Sequence, residues 1–147
     1  MMNKNNENTN AFLIHISAFA GYIIPVPFGS IIVPLILWQT MKDKSSFLDV
    51  QGKEAVNFNI SYALYTFILG LSIIPFAFGT FIRNIRDYND FNFDFHFSDG
   101  SGLFGFFGMG ALITIISLLK IALIIIAAIK SKEGENYKYP FTIKFIK

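Results

Sequence analysis

Three long apolar tracts alternate with four polar stretches along the chain. The first runs from Ala11 to Met41, the second from Ala55 to about Ile82 and the third from Leu103 to Ile129. The second and third are each longer than the ~20 residues that a helix needs to cross a ~30 Å hydrocarbon core. In lipid every backbone N–H and C=O must be satisfied inside the segment, so tracts of this kind form helices. The polar remainder of so short a chain is too small to wrap three such helices in water, which argues against a soluble core.

The first tract is interrupted. Ala11–Ile24 makes only about 21 Å of helix at 1.5 Å per residue. Pro25, Pro27 and Gly29 follow, removing two backbone donors and supplying a turn residue. A second piece, Ser30–Met41, carries Pro34 in its first turns. The tract is either one long kinked span or two short helices joined by a tight turn, and the density of breakers favours the second. Ala18-Phe19-Ala20 has the small residues of a signal cleavage site. The apolar run before it is short, however, residues 1–10 hold one Lys and one Glu, and apolar sequence continues after it, so the segment reads as retained. The expected architecture is an all-α integral membrane protein. Residues 1–10 form a disordered polar tail, and residues 11–147 a single small bundle of three to four transmembrane or helical segments.

Composition agrees with the pattern. Of 147 residues, 53% are hydrophobic and 15% charged, against about a quarter charged in soluble domains. The mean hydropathy is +0.50. A net charge of +2 gives no reason to expect a nucleic-acid partner, and the absence of cysteine excludes disulfides, thiolate metal sites and Cys nucleophiles. The distribution of charge is more informative. Lys42, Lys44 and Lys53 lie in the 42–54 loop, and Lys130, Lys132, Lys138, Lys144 and Lys147 in the carboxyl tail. Two crossings separate loop and tail, so both lie on one side, and their lysines assign that side to the cytoplasm. The loop between the second and third tracts has Arg83 and Arg86 at its entrance, then Asp87, Asp90, Asp94 and Asp99, and is expected outside. Trp38, four residues before Lys42, stands where an interfacial anchor would.

Lys120 is the only formal charge inside a spanning tract. Burying it near mid-membrane costs roughly 2.5–3.5 kcal/mol on insertion scales, which the surrounding Leu and Ile residues can offset. With Gly110, Thr114 and Ser117 it makes one polar stripe at helical spacing, directed at other helices. Such a stripe is either an ion or substrate contact or an internally satisfied, snorkelling lysine; the second is the commoner case. No acidic residue lies at matching depth for a proton relay. His15 in the first short helix has no neighbouring His or carboxylate, so a packed, hydrogen-bonded histidine is expected. Gly102, Gly105, Gly108 and Gly110 have the small-residue spacing of close helix packing, and Asn57 and Ser61, one turn apart, read as interhelical hydrogen-bonding groups.

Two segments alternate as strands do. Between Phe91 and Gly100 four Phe fall on one face, with Asn92, Asp94, His96 and Ser98 on the other. Asp94, His96 and Asp99 do not have the calcium-loop spacing, so the segment reads as a ribbon laying its Phe face on the outer leaflet or the helix ends. In the tail, Tyr137, Tyr139, Phe141, Ile143 and Phe145 share one face and Lys138 and Lys144 the other. That pattern suits either the anionic cytoplasmic interface or packing against the bundle. No nucleophile–base pair, phosphate-cradling loop or metal-ligand cluster stands out, so neither catalysis nor a cofactor is expected.

Four patterns occur in order: HISAFAGYIIP (His15–Pro25), VPLILWQTMKDKSSFLD (Val33–Asp49), GKEAVNFNIS (Gly52–Ser61) and AAIKSKEGENYKYPFTIKFIK (Ala127–Lys147). Together they resemble a bacterial family of small membrane proteins of unknown function related to the Tic-twenty chloroplast import component. Gly52, Lys53, Glu54, Ala55, Asn57 and Phe58, with Tyr139 and Pro140, carry the resemblance most specifically, and the 87–101 loop departs from it. The resemblance implies a multi-pass protein of the bacterial inner membrane, with a role in translocation by analogy only. The matched residues read physically as well. Gly52 ends the loop, Lys53 and Glu54 stay at the cytoplasmic surface with Glu54 near the positive end of the second helix, and Asn57 enters the bundle. The expected function is that of a non-enzymatic membrane component acting through the bilayer, membrane-protein partners or copies of itself. The alternative is a small transporter or channel subunit lined by the Lys120 stripe.

Overall fold

The computed structural model describes the backbone of residues 3–23, 28–86 and 101–147, and the side chains of 3–23, 28–71, 108 and 110–147. It is helical, with no strand among the described residues. The elements are α1 (Lys4–Ile16), a 3-10 turn (Ser17–Phe19), α2 (Ala20–Ile23), α3 (Gly29–Met41), a second 3-10 turn (Lys42–Lys44), α4 (Ser46–Arg86) and α5 (Ser101–Lys132). The chain divides into two compact units, Met1–Ala63 with Leu119–Lys147, and Leu64–Leu118. The expected ribbon at 91–100, the acidic loop, and the prolines at 25 and 27 lie outside the described residues.

The amino-terminal segment differs from expectation, because α1 begins at Lys4 and not at the start of the apolar tract. Asn3 caps it, its side chain accepting from the Asn5 N–H at 3.1 Å. The polar first turns are then held by the rest of the first unit. Asn8 donates to the Lys132 carbonyl at 3.0 Å, and Glu7 accepts from the Ser45 hydroxyl. An asparagine-rich run has modest helix propensity, and tertiary partners override it here.

The first apolar tract folds as two helical pieces. α3 packs against α1, the first 3-10 turn and α2. At the crossing a Cβ on Gly21 would lie 2.6 Å from the backbone nitrogen of Ser30, so only glycine allows that approach. Neither α1 nor α3, at 13 residues each, is long enough to cross a membrane.

The 42–54 loop is also shorter than expected. α4 starts at Ser46, so Gly52 is a helix-interior residue and not a loop terminator. Its role is steric: a Cβ there would fall 2.2 Å from Trp38 Cδ1. The indole occupies this space, buried, and donates from Nε1 to Asp49 Oδ1 at 2.9 Å. It is therefore a core element, not an exposed interfacial anchor. Lys53 pairs with Asp49 at 2.7 Å, one turn apart. Chiefly through that hydrogen bond, and also through the indole N–H, the Asp49 carboxyl is held below its ordinary range.

Two apolar clusters form the core of the first unit. Ala11, Ile14, Leu48 and Ala55 make one, flanked by Leu37, Met41 and Phe47. Ala18, Phe58, Ile124, Ala127 and Tyr139 make the other. Among the described residues one helix, Gly110–Lys132, is long and apolar enough to cross a membrane, with a mean hydropathy of 2.8. Only 22% of that apolar window is buried, so most of the helix presents Leu and Ile outward, as lipid solvation requires.

Replacing Gly52 with Ala is expected to displace Trp38 and cost about 3 kcal/mol or more, beyond ordinary overpacking. Thermal unfolding in detergent, compared with an exposed control such as Val50→Ala, checks this.

Candidate functional site

A buried polar cluster joins α1, α4, α5 and the tail around Gln51. Its Oε1 accepts from the Ser131 hydroxyl at 3.0 Å and lies 3.0 Å from His15 Nε2, while its Nε2 donates to Asn136 Oδ1 at 3.2 Å. An amide oxygen only accepts, so His15 carries its proton on Nε2. His15 Nδ1 must then accept, and Tyr139, 2.9 Å away, donates its phenolic O–H to it. Burial pushes the imidazole down to about 4, only partly opposed by the Gln51 hydrogen bond, and pushes the Tyr139 phenol up. Both shifts favour the neutral pair that this geometry requires. The packed, hydrogen-bonded histidine expected from the sequence is what the structure contains.

Beyond Asn136 the tail runs back along α4. Glu54, Asn57 and Ser61 stand three and four residues apart on one face, and each meets the tail backbone. The Tyr139 N–H donates to Glu54 Oε2 at 3.4 Å and the Ile143 N–H to Ser61 Oγ at 2.9 Å. Asn57 Oδ1 accepts from Phe145 and Ile146 at 3.1 and 2.8 Å, while its Nδ2 donates to the Ile146 carbonyl at 2.9 Å. The Tyr139 ring stacks on Phe58 with centroids 4.0 Å apart and planes 7° from parallel. Glu54 is thus a contact of the tail and not simply a surface charge at the helix start. Pro140 introduces a turn in which Phe141 takes the left-handed φ of 57°.

The Lys120 stripe separates into unlike positions. Lys120 is 4% exposed, its Nζ lying 4.2 Å from the Tyr62 ring centroid and 5.6 Å from that of Tyr22. Ring faces thus attract the buried ammonium, and it does not snorkel. Ser117 is half-buried; Thr114 is exposed and returns its hydroxyl to the Gly110 carbonyl at 2.8 Å. Among the described residues, a Cβ at Gly108 or Gly110 would meet nothing within 4 Å. Gly102 and Gly105 lie outside the residues whose side chains are described. Sequence reasoning missed Gln51, Ser131, Tyr22 and Tyr62; nothing in their spacing announces that they converge.

A family model matches residues 6–146, nearly the whole chain. The chain belongs to the MamF/MmsF family. That family is described as the magnetosome magnetite crystal formation protein family. No curated protein and no solved structure matches the chain. Membership in MamF/MmsF overturns the resemblance to the Tic-twenty relatives, and the translocation analogy falls with it. The MamF/MmsF match also runs through residues 87–101, where the sequence departs from the Tic-twenty pattern. The physical reason is visible in the contacts. Gly52 lies under Trp38, Lys53 on Asp49, and Glu54 and Asn57 on the tail, so the short patterns meet packing needs that do not by themselves specify a family. Together, MamF/MmsF membership and the outward apolar face of α5 mark a membrane-associated protein.

With His15 near 4 in the fold and 6.5 when unfolded, the unfolded chain binds more protons between these values. Stability is therefore expected to fall as the pH drops from 6.5 towards 4, by on the order of 3 kcal/mol. Unfolding in detergent across this range, for wild type and His15→Gln, isolates the histidine's share as the slope that the variant loses. Around Lys120, Tyr62→Leu is expected to cost about 1–2 kcal/mol by exposing the ammonium to an apolar wall. Much of that cost should vanish in the Lys120→Leu background, which a double-mutant cycle reads directly.

Proposed function

We propose that this chain is a non-enzymatic, multi-pass component of the magnetosome membrane that takes part in magnetite crystal formation through membrane-protein partners or copies of itself. The match of residues 6–146 to the MamF/MmsF family carries this reading. The site chemistry supports it as well. Both His15 nitrogens are engaged, and the Asn57 and Ser61 side chains are committed to the tail. These groups serve to fasten one segment to another, not to activate a substrate.

In this reading α4 and α5 cross the bilayer and α1–α3 turn back without crossing. Lys42, Lys44, Lys130, Lys132, Lys138, Lys144 and Lys147 then gather on the cytoplasmic side. Supporting this sidedness, Asn8 is bonded to Lys132 and Asn136 to Gln51, so amino terminus, tail and the start of α4 share one end.

Deleting the gene from its magnetosome-forming host should leave smaller, fewer or misshapen magnetite crystals by electron microscopy, restored by the wild-type chain. Crystals of unchanged size, number and form would rule the reading out. The protein should also stay in the membrane pellet after an alkaline carbonate wash.

A further inference from the structure

The turn at Phe141 changes which side chains of the tail face the protein. Before it, Tyr137 and Tyr139 pack inward, Tyr139 being buried between Phe58 and His15. After it, Thr142 and Ile146 are the half-buried positions, while Phe141, Ile143 and Phe145 are 89%, 40% and 48% exposed. A regular strand would have kept all five aromatic and Ile residues on one face. The left-handed conformation at Phe141 breaks that alternation at a cost of about 1–2 kcal/mol for a bulky residue. The fold therefore spends conformational energy to turn three large apolar side chains away from itself.

Part of the same segment's backbone is held by protein. The N–H groups of Ile143, Phe145 and Ile146 and the carbonyl of Ile146 are bonded to Ser61 and Asn57. Non-helical backbone is tolerated at membrane depth only when it is satisfied by protein in this way. Lys138 and Lys147 flank the apolar triplet and Lys144 lies within it, all exposed, and each cation near an anionic leaflet contributes about 1 kcal/mol of attraction. Outward apolar side chains, a backbone tied to α4 at three residues and neighbouring ammonium groups fit an anionic lipid leaflet.

We propose that residues 140–147 form a lipid-inserted strap. Phe141, Ile143 and Phe145 enter the acyl boundary of the cytoplasmic leaflet, Lys144 and Lys147 meet lipid phosphates, and Asn57 and Ser61 hold the strap from behind. This rests on the reading of the chain as a membrane protein and adds a second kind of lipid contact to its helices.

The chain has no cysteine, so single nitroxide labels can be placed without background. Phe141→Cys and Phe145→Cys alter exposed side chains, and Leu118→Cys on the exposed face of α5 reports whether the protein is embedded at all. Labelled full-length protein is reconstituted in nanodiscs of phosphatidylglycerol and phosphatidylethanolamine. Power-saturation accessibility is then measured with oxygen and with a water-soluble nickel chelate. The strap predicts that labels 141 and 145 are relaxed several-fold more by oxygen than by the chelate, as at 118. If 118 reads lipid while 141 and 145 read water, or are shielded from both relaxants by protein, the strap is overturned and the membrane reading stands. Water-like values at all three positions would sink both.

Discussion

Gln51 connects four parts of the chain with one primary amide. Its oxygen takes hydrogen bonds from α1 and α5, its nitrogen gives one to the tail, and its own backbone lies in α4. In an apolar surround, leaving one of these groups unpaired costs more than the bond itself is worth, by the desolvation of an orphaned donor or acceptor. The amide therefore acts less as glue than as a filter on arrangement: a register shift of α1 or α5 strands several polar groups at once. The proton on His15 Nε2 and the direction of the Tyr139 hydroxyl both follow from Gln51 having a single acceptor oxygen. That chain of dependence extends to Phe58, whose stacked partner is the same tyrosine.

Around this cluster, several other polar groups of the first unit are paired locally. Lys120 is offset by aromatic faces and Asp49 by Lys53 and an indole N–H. Glu54, Asn57 and Ser61 are devoted to a stretch of extended backbone. Polar side chains in an otherwise apolar protein usually advertise transport or catalysis. Here Glu54, Asn57 and Ser61 bond the N–H groups of Tyr139, Ile143, Phe145 and Ile146, in a non-helical tail that lies against the helix.

Much of the helical plan was legible from the chain alone. The apolar tracts, the interruption before α3 and the packed character of His15 all follow from patterns local in sequence. The tail was legible only in part. Its alternation predicts an extended segment with one aromatic face, whereas the left-handed Phe141 inverts the facing midway, and no local rule assigns that φ to a phenylalanine. The helical start at Lys4 was hidden for a related reason: its asparagines are poor helix formers, and the contacts that hold them come from residues more than thirty positions away. The Gln51 cluster joins residues 15, 51, 131, 136 and 139, so no window of sequence contains it. Family membership also escaped the short motifs, since the match that shows it extends over residues 6–146.

The protein has a single tryptophan, and its side chain lies between α3 and α4 against Gly52. Its ring nitrogen is tied to Asp49, and the Lys42 ammonium stands 5.8 Å from its ring. Intrinsic ultraviolet emission from the whole chain is therefore dominated by one seam. Any detergent, lipid or assembly partner that pries the amino-terminal hairpin away from the long fourth helix will shift that colour, with no dye attached.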